Sequence, residues 1–308
     1  MMSIAYIFPG QGSQYVGMGK DLAGEFAEAR ELFQKADAIL GVPLSRICFE
    51  GPEEELKQTK NTQPAIFLHS LAAWTLVKKN DAAMVAGHSL GEYSALVAAG
   101  TLSFEEGLRL VRLRGELMQR AGTENPGTMA AVIGLDPQAV MEICAAASAE
   151  GIVQPANFNS PGQIVISGSV TGVRKAMELA KPRGAKLVKE LVVSGAFHSP
   201  LMQSARTGLG QALQTAVVKD AMVPVYANVT AKPVQSAGEI RSLLVEQLTS
   251  PVRWEESVVA MAGAGASTFV EIGPGKVLQG LAKRCAASIE TRGVDNAADV
   301  RAFLRAAS

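Results

Sequence analysis

The segment Gly87-His88-Ser89-Leu90-Gly91 sets a serine between two glycines at the spacing Gly-x-Ser-x-Gly. A serine hydroxyl becomes a nucleophile when a sharp turn exposes it and a base stands within reach. The spacing alone is a weak signal in a chain with 30 glycines. Its setting strengthens it. The apolar run Ala82-Ala83-Met84-Val85-Ala86 precedes it and a helix-forming stretch, 92–99, follows, which predicts a strand–turn–helix elbow. Ser89 would then sit at a helix N-terminus, where free N–H groups and the helix dipole favour a developing oxyanion. The plain alternative is a glycine-rich turn with a capping serine.

The base has few candidates, because the chain has only three histidines: His69, His88 and His198. His88 adjoins Ser89, and its side chain should leave the elbow in another direction. His69 lies in the apolar run Ile66-Phe67-Leu68-His69 and reads as a core residue. His198, in Gly195-Ala196-Phe197-His198-Ser199-Pro200, remains by elimination. A loop there could reach across a cleft. An ordinary surface loop histidine is the other reading.

One arginine stands on the wrong side of its helix. Over residues 104–120, at about 100° per residue, Glu105, Arg109, Arg112, Glu116, Gln119 and Arg120 gather on one face. Arg114 falls among Leu110, Val111, Leu117 and Met118 on the other. A guanidinium in an apolar stripe needs an anion, because an unpaired buried charge is costly. That anion is either an internal carboxylate or a substrate carboxylate held by a fork of two N–H donors. Periodicity leaves both open.

The elements that must position these groups alternate. A first strand is expected at 4–8, helices at 21–40 and 62–79, a strand at 82–86 and the helix at 92–99, a pattern that suggests a parallel sheet covered on both faces. The middle of the chain changes character. Strand 128–135, helix 137–150, strands 153–158 and 163–167, helix 172–181 and strand 186–193 give the order β-α-β-β-α-β of a ferredoxin-like unit. It predicts a small subdomain at 126–195 inserted in a larger one made of 1–125 and 196–308. Strands near 223–228 and 268–272 and a terminal helix from Ala297 complete the larger part.

Composition narrows the class. Of 308 residues, 48% are hydrophobic and 19% charged, and Lys+Arg and Asp+Glu both total 29. The apolar content suffices for a globular core, and nothing in the zero net charge recruits nucleic acid or an anionic membrane. Three scattered cysteines fit neither a disulfide framework nor a CxxC metal site and point to a reducing compartment. The start Met1-Met2-Ser3-Ile4 lacks the basic opening of a signal peptide, and no run of about 18 apolar residues occurs. A cytoplasmic protein, monomeric and not membrane-bound, is the expectation.

The motifs together resemble a known family. Phe8-Pro9-Gly10-Gln11-Gly12-Ser13-Gln14, Gln63-Pro64-Ala65, Gly87-His88-Ser89-Leu90-Gly91-Glu92, Arg114-Gly115 with Met118-Gln119, and Asn157-Phe158-Asn159-Ser160-Pro161-Gly162-Gln163 occur in order. Ala196-Phe197-His198-Ser199, Glu246-Gln247-Leu248 and Glu271-Ile272-Gly273-Pro274-Gly275 follow. The chain is similar over its whole length to the malonyl-CoA:acyl-carrier-protein transacylases of bacterial fatty-acid synthesis, and more broadly to the acyltransferase domains of polyketide synthases. The resemblance implies an α/β-hydrolase-like large subdomain with a ferredoxin-like insert. It implies that Ser89 carries the acyl group, that His198 is its general base and then acid, and that Gln247 orients His198 through its main-chain carbonyl. The N–H groups of Gln11 and Leu90 would form the oxyanion hole, and Arg114 would bind the malonyl carboxylate. Gln63, His88, Asn157 and Phe197 would line the substrate site, the Phe197 ring filling the space an α-methyl group needs. No metal or redox cofactor is implied. The partners would be malonyl-CoA and an acidic acyl carrier protein, for which Lys181, Arg183, Lys186 and Lys189 are candidate contacts.

Rival readings use the same residues. A serine thioesterase would pass the acyl group to water, though it needs neither Arg114 nor the insert. A catalytically silent carrier-binding module would leave Ser89 unreactive. An acyltransferase serving a polyketide synthase would share the whole site.

Overall fold

The computed structural model describes residues 3–78 and 81–306. Its strands, in chain order, are β1 (Ser3–Phe8), β2 (Ala82–Gly87), β3 (Gly127–Ile133), β4 (Val153–Ser160), β5 (Gln163–Ser169) and β6 (Leu187–Glu190), then β7 (Val225–Tyr226), β8 (Pro233–Val234), β9 (Val252–Arg253), β10 (Ala266–Ile272) and β11 (Glu290–Val294). They form two sheets. The larger has the order β11-β10-β1-β2-β7-β8. Every pair in it is parallel except β7 with β8 at the edge. The last four residues of β1 and of β2 are all buried, as continuous apolar runs must be when helices cover both faces.

The second sheet has the order β6-β3-β5-β4-β9. Its first four strands, with helices Pro137–Ala147 and Val170–Ala180, make the ferredoxin-like unit, and they bury a separate apolar cluster around Val132, Ile143, Ile166 and Val173. The architecture is an α/β fold with a small inserted subdomain. The expected span 126–195 does not hold all of the second sheet. β9 comes from later in the chain and pairs in parallel with β4, Asn157 opposite Val252 and Phe158 opposite Arg253. That pairing ties the segment carrying Gln247 to the insert.

Several elements differ from the sequence expectation for identifiable reasons. The helix expected at 21–40 is two, Lys20–Glu25 and Ala27–Leu40, broken at an extended Phe26. Arg30 makes the break tolerable by donating to the orphaned carbonyls of Ala23 and Gly24. The helix expected at 62–79 runs Thr59–Val77, and Lys79 lies outside the described residues. This helix contains Pro64, which has no N–H for the Lys60 carbonyl; Arg112 Nη1 donates to that oxygen instead, at 3.1 Å. The strand expected at 223–228 is only Val225–Tyr226, because Asn228 turns away to brace the elbow. The helix carrying Arg114 continues past 120, as Phe104–Glu124. Among the described residues no helix is long and apolar enough to cross a membrane.

Candidate active site

The elbow is built from backbone crowding. β2 ends at Gly87, and the next helix is Gly91–Ala98. A Cβ on Gly87 would lie 1.9 Å from the Gly91 carbonyl carbon, and one on Gly91 would lie 2.0 Å from the Phe8 oxygen. Only glycine fits at either position. Between them Ser89 takes φ 51°, a left-handed conformation that a non-glycine residue holds only when its surroundings enforce it. Asn228 does part of the enforcing: its Oδ1 accepts from the Ser89 N–H at 2.6 Å and its Nδ2 donates to the Gly87 carbonyl at 2.7 Å.

The Ser89 Oγ lies 2.8 Å from His198 Nε2. His198 also has positive φ, 58°, and the insert holds it there: Gln154 Nε2 on β4 donates to its carbonyl at 2.9 Å. Its Nδ1 is 2.8 Å from the Gln247 carbonyl and 3.2 Å from that of Ser250. Carbonyls only accept, so Nδ1 carries the proton and Nε2 presents its lone pair to the serine hydroxyl. The Gln247 carbonyl is available because Gln247 ends the helix Ala237–Gln247, where the last carbonyls have no intrahelical donor. Burial first, and the nearby Arg114 charge second, push the His198 pKa down to about 3, so the ring is neutral near pH 7.

Arg114 is 1% exposed. Nη1 donates to Gln63 Oε1 at 2.8 Å, and Nη2 donates to Gln247 Oε1 at 2.8 Å and to Ser89 Oγ at 3.1 Å. Nε has no partner among the described residues, and the guanidinium sits 5.7 Å from the centre of the Tyr93 ring. All of these acceptors are neutral. The one carboxylate that favours its charge, Glu92, acts through space and not by contact, with the Gln247 amide bonded to both. The internal-anion reading of the apolar-stripe arginine therefore lacks a direct ion pair among the described residues.

A cavity of about 310 Å³ opens over these groups. Gln11, Gln63, His88, Ser89, Leu90, Arg114, Asn157, Phe197 and His198 all line it, and Gln247 lies behind them. Leu90 caps the helix Gly91–Ala98, and the N–H groups of Leu90 and Gln11 find no acceptor among the described residues. His88 points its Nε2 at Asn159 Oδ1, 2.8 Å away on β4, so the ring links the elbow to the insert. Burial lowers its pKa from the ordinary value. His69 lies elsewhere, buried with Nε2 2.8 Å from the Asp295 carbonyl oxygen. Sequence reasoning missed Glu92, Asn228, Asn159 and Gln154. Glu92 had a readable signal, a carboxylate in the otherwise apolar helix Gly91–Ala98. Asn228 and Gln154 gave none and Asn159 appeared only inside a family motif, since their contacts with the elbow and with His198 exist only once the chain has folded.

Comparison with known proteins agrees with this geometry. A family model described as an acyl transferase domain matches residues 5–302. The malonyl CoA-acyl carrier protein transacylase of Bacillus subtilis is 48% identical over 299 residues, covering 96% of this chain and 94% of the relative. The chain belongs to the malonyl-CoA–acyl carrier protein transacylase family. Another member, from Escherichia coli K12, is 44% identical over 287 residues, 92% of this chain and 93% of its own. Solved structures in the family superpose closely. The acyl-carrier-protein S-malonyltransferase of Bartonella henselae gives a TM-score of 0.94 at 45% identity, covering 99% of both chains. A malonyl-transacylase solved in complex with a type II polyketide acyl-carrier protein gives 0.95 at 42% identity, also covering 99% of both. The family members are acyltransferases, and this chain is one of them.

Proposed function

We propose that the protein moves a malonyl group from malonyl-CoA to the phosphopantetheine thiol of acyl carrier protein through an ester on Ser89. The observation that carries this is the placement of Arg114. A fully buried guanidinium, without a carboxylate in contact, stands 3.1 Å from the hydroxyl that His198 is set to deprotonate. A donor with a carboxylate two bonds beyond its thioester carbonyl matches that charge and that separation.

In the first half-reaction His198 Nε2 takes the Oγ proton as Oγ bonds to the thioester carbon. The N–H groups of Gln11 and Leu90 hold the tetrahedral oxyanion, each worth on the order of 10²–10³ in rate when preorganised. The C–S bond breaks, and His198 returns its proton to the coenzyme A sulfur. The carrier thiol then attacks the malonyl-serine ester by the same steps reversed. The Gln247 carbonyl keeps the imidazole in the required tautomer throughout, with a main-chain oxygen in the place an acid occupies in a Ser-His-Asp triad. Gln63, His88, Asn157 and Phe197 shape the site around the donor. Every step uses groups of one chain and its two substrates, so a monomer without metal or redox cofactor suffices. Lys181, Lys186 and Lys189 are exposed on the insert and suit an acidic carrier. Arg183 suits it less, because it already pairs with Glu142 at 2.9 Å.

Intact-mass measurement after mixing with malonyl-CoA tests the reading. The wild type should gain one malonyl group and Ser89→Ala none; an unmodified wild type would refute it.

A further inference from the structure

Glu92 follows the elbow directly and is 3% exposed. A carboxylate placed so deeply needs partners, and its Oε2 has two: the Asn228 N–H at 3.2 Å and Gln247 Nε2 at 2.8 Å. The second contact bears on the site. The Gln247 amide has only one orientation that satisfies its neighbours. Nε2 donates both hydrogens, to Glu92 and to the Ser89 carbonyl at 3.0 Å, which turns Oε1 toward Arg114 Nη2 at 2.8 Å. The main chain of the same residue holds His198 Nδ1. One glutamine therefore sets both the guanidinium and the imidazole, and Glu92 is the side chain that pins it.

We propose that Glu92 is a positioning residue for acyl transfer, acting through Gln247 on Arg114 and His198; this rests on the malonyl-transfer reading above. Without the Oε2 acceptor, one Gln247 N–H would be buried and unpaired, and the amide would no longer be held in a single orientation. A rotated amide turns its NH₂ against the guanidinium, and donor faces donor. Arg114 then loses an acceptor and its fixed fork. The helix end bearing the Gln247 carbonyl loosens with it, and so does the His198 ring. What Glu92 supplies is the acceptor, more than the charge. Burial raises its pKa to about 7, so near neutrality a large fraction is already uncharged while Oε2 still accepts.

That distinction fixes the experiment. Single-turnover acylation of Ser89 is measured with malonyl-CoA and with acetyl-CoA for the wild type, Glu92→Gln and Glu92→Ala. The three histidines are followed by ¹⁵N NMR in the same proteins. In Glu92→Gln the new amide oxygen can replace Oε2, so that variant should stay within about threefold of wild type with both donors. Glu92→Ala should slow malonyl acylation at least tenfold and acetyl acylation by a smaller factor. His198 should lose its single Nδ1–H tautomer there, and His69, bonded to Asp295, should keep its signal as a sign of an intact fold. If Glu92→Ala does not fold, Gln247→Met replaces it: the main-chain carbonyl stays, the amide goes, and malonyl acylation should again fall more than acetyl. Wild-type rates in Glu92→Ala or in Gln247→Met would overturn the proposal. So would equal losses in Glu92→Ala and Glu92→Gln with His198 unchanged. Failure of the wild type itself to take up malonyl would refute the underlying function instead.

Discussion

Replacing Arg114 by alanine should collapse the enzyme's preference for malonyl over acetyl donors. The guanidinium is fully desolvated and its protein acceptors are all neutral, so its charge is uncompensated by contact until a carboxylate arrives. Losing one partner of such a buried charge pair costs about 2–5 kcal/mol, which is roughly a 30- to 5,000-fold fall in kcat/KM for malonyl-CoA. Acetyl-CoA has no carboxylate and should feel only two smaller changes. Ser89 Oγ loses the Nη2 bond at 3.1 Å, a net effect of about 0.5–1.5 kcal/mol. Acting the other way, His198 becomes a stronger base once a neighbouring positive charge is gone. The two partly cancel, so acetyl transfer should change by less than about tenfold. The assay is kcat/KM for both donors with one carrier protein, alongside urea unfolding to record any loss of stability. Arg114→Lys keeps the charge without the planar fork and should recover only part of the malonyl rate. Equal losses for the two donors in Arg114→Ala would mean that Arg114 supports the fold or the serine and does not read the substrate. Its missing counter-ion would then say nothing about the donor.

The pH dependence follows from His198. Its pKa lies near 3, below the ordinary 6.5, so the imidazole stays neutral and able to accept a proton through the mildly acidic range. The acid limb of kcat/KM with acetyl-CoA should therefore fall well below pH 6.5, and Arg114→Ala should move it upward; a wild-type limb at 6.5 would contradict this. The same depressed pKa means that burying His198 neutral costs nothing above pH 6.5, while below it the unfolded chain takes up a proton that the folded one refuses, so stability falls as pH drops toward 3. Phe197, nearly buried at the cleft wall, bears on the α-substituent. One methyl group is worth about 1–3 kcal/mol in a tight pocket, so Phe197→Ser should raise the methylmalonyl-to-malonyl ratio roughly tenfold or more. An unchanged ratio would show that the ring does not face that position.

Much of the site is legible because its residue types are out of place. Ser89 stands between two glycines where a strand meets a helix, and Arg114 stands in an apolar stripe. Glu92 offers the same kind of signal, a carboxylate among apolar neighbours. His198 is reached only by elimination, which works because there are just two other histidines to discard. Gln247 holds His198 through a backbone carbonyl, and the roles proposed for Gln11 and Leu90 are backbone roles too; a backbone group leaves no trace in residue type. Only resemblance points to them. In the fold, the β-α-β-β-α-β order is readable from periodicity. The break at Phe26 is not, since it depends on Arg30 bonding carbonyls from the turn before. Nor is β9, whose two residues are too few for any pattern and which exists only because β4 offers it an edge.

The sequence by itself decided which chemical groups the protein has: one elbow serine, few histidines, one misplaced arginine, and the alternation that forces an α/β sheet with an insert. Those follow from local rules of spacing and burial preference. Tertiary structure decided what the groups are. It brought residues 89, 114, 198 and 247 within hydrogen-bond distance and buried all of them but the serine, which faces the cavity. A histidine's proton affinity and a guanidinium's need for an anion are set by that neighbourhood, because electrostatic interactions depend on distance and on exclusion of water and not on order along the chain.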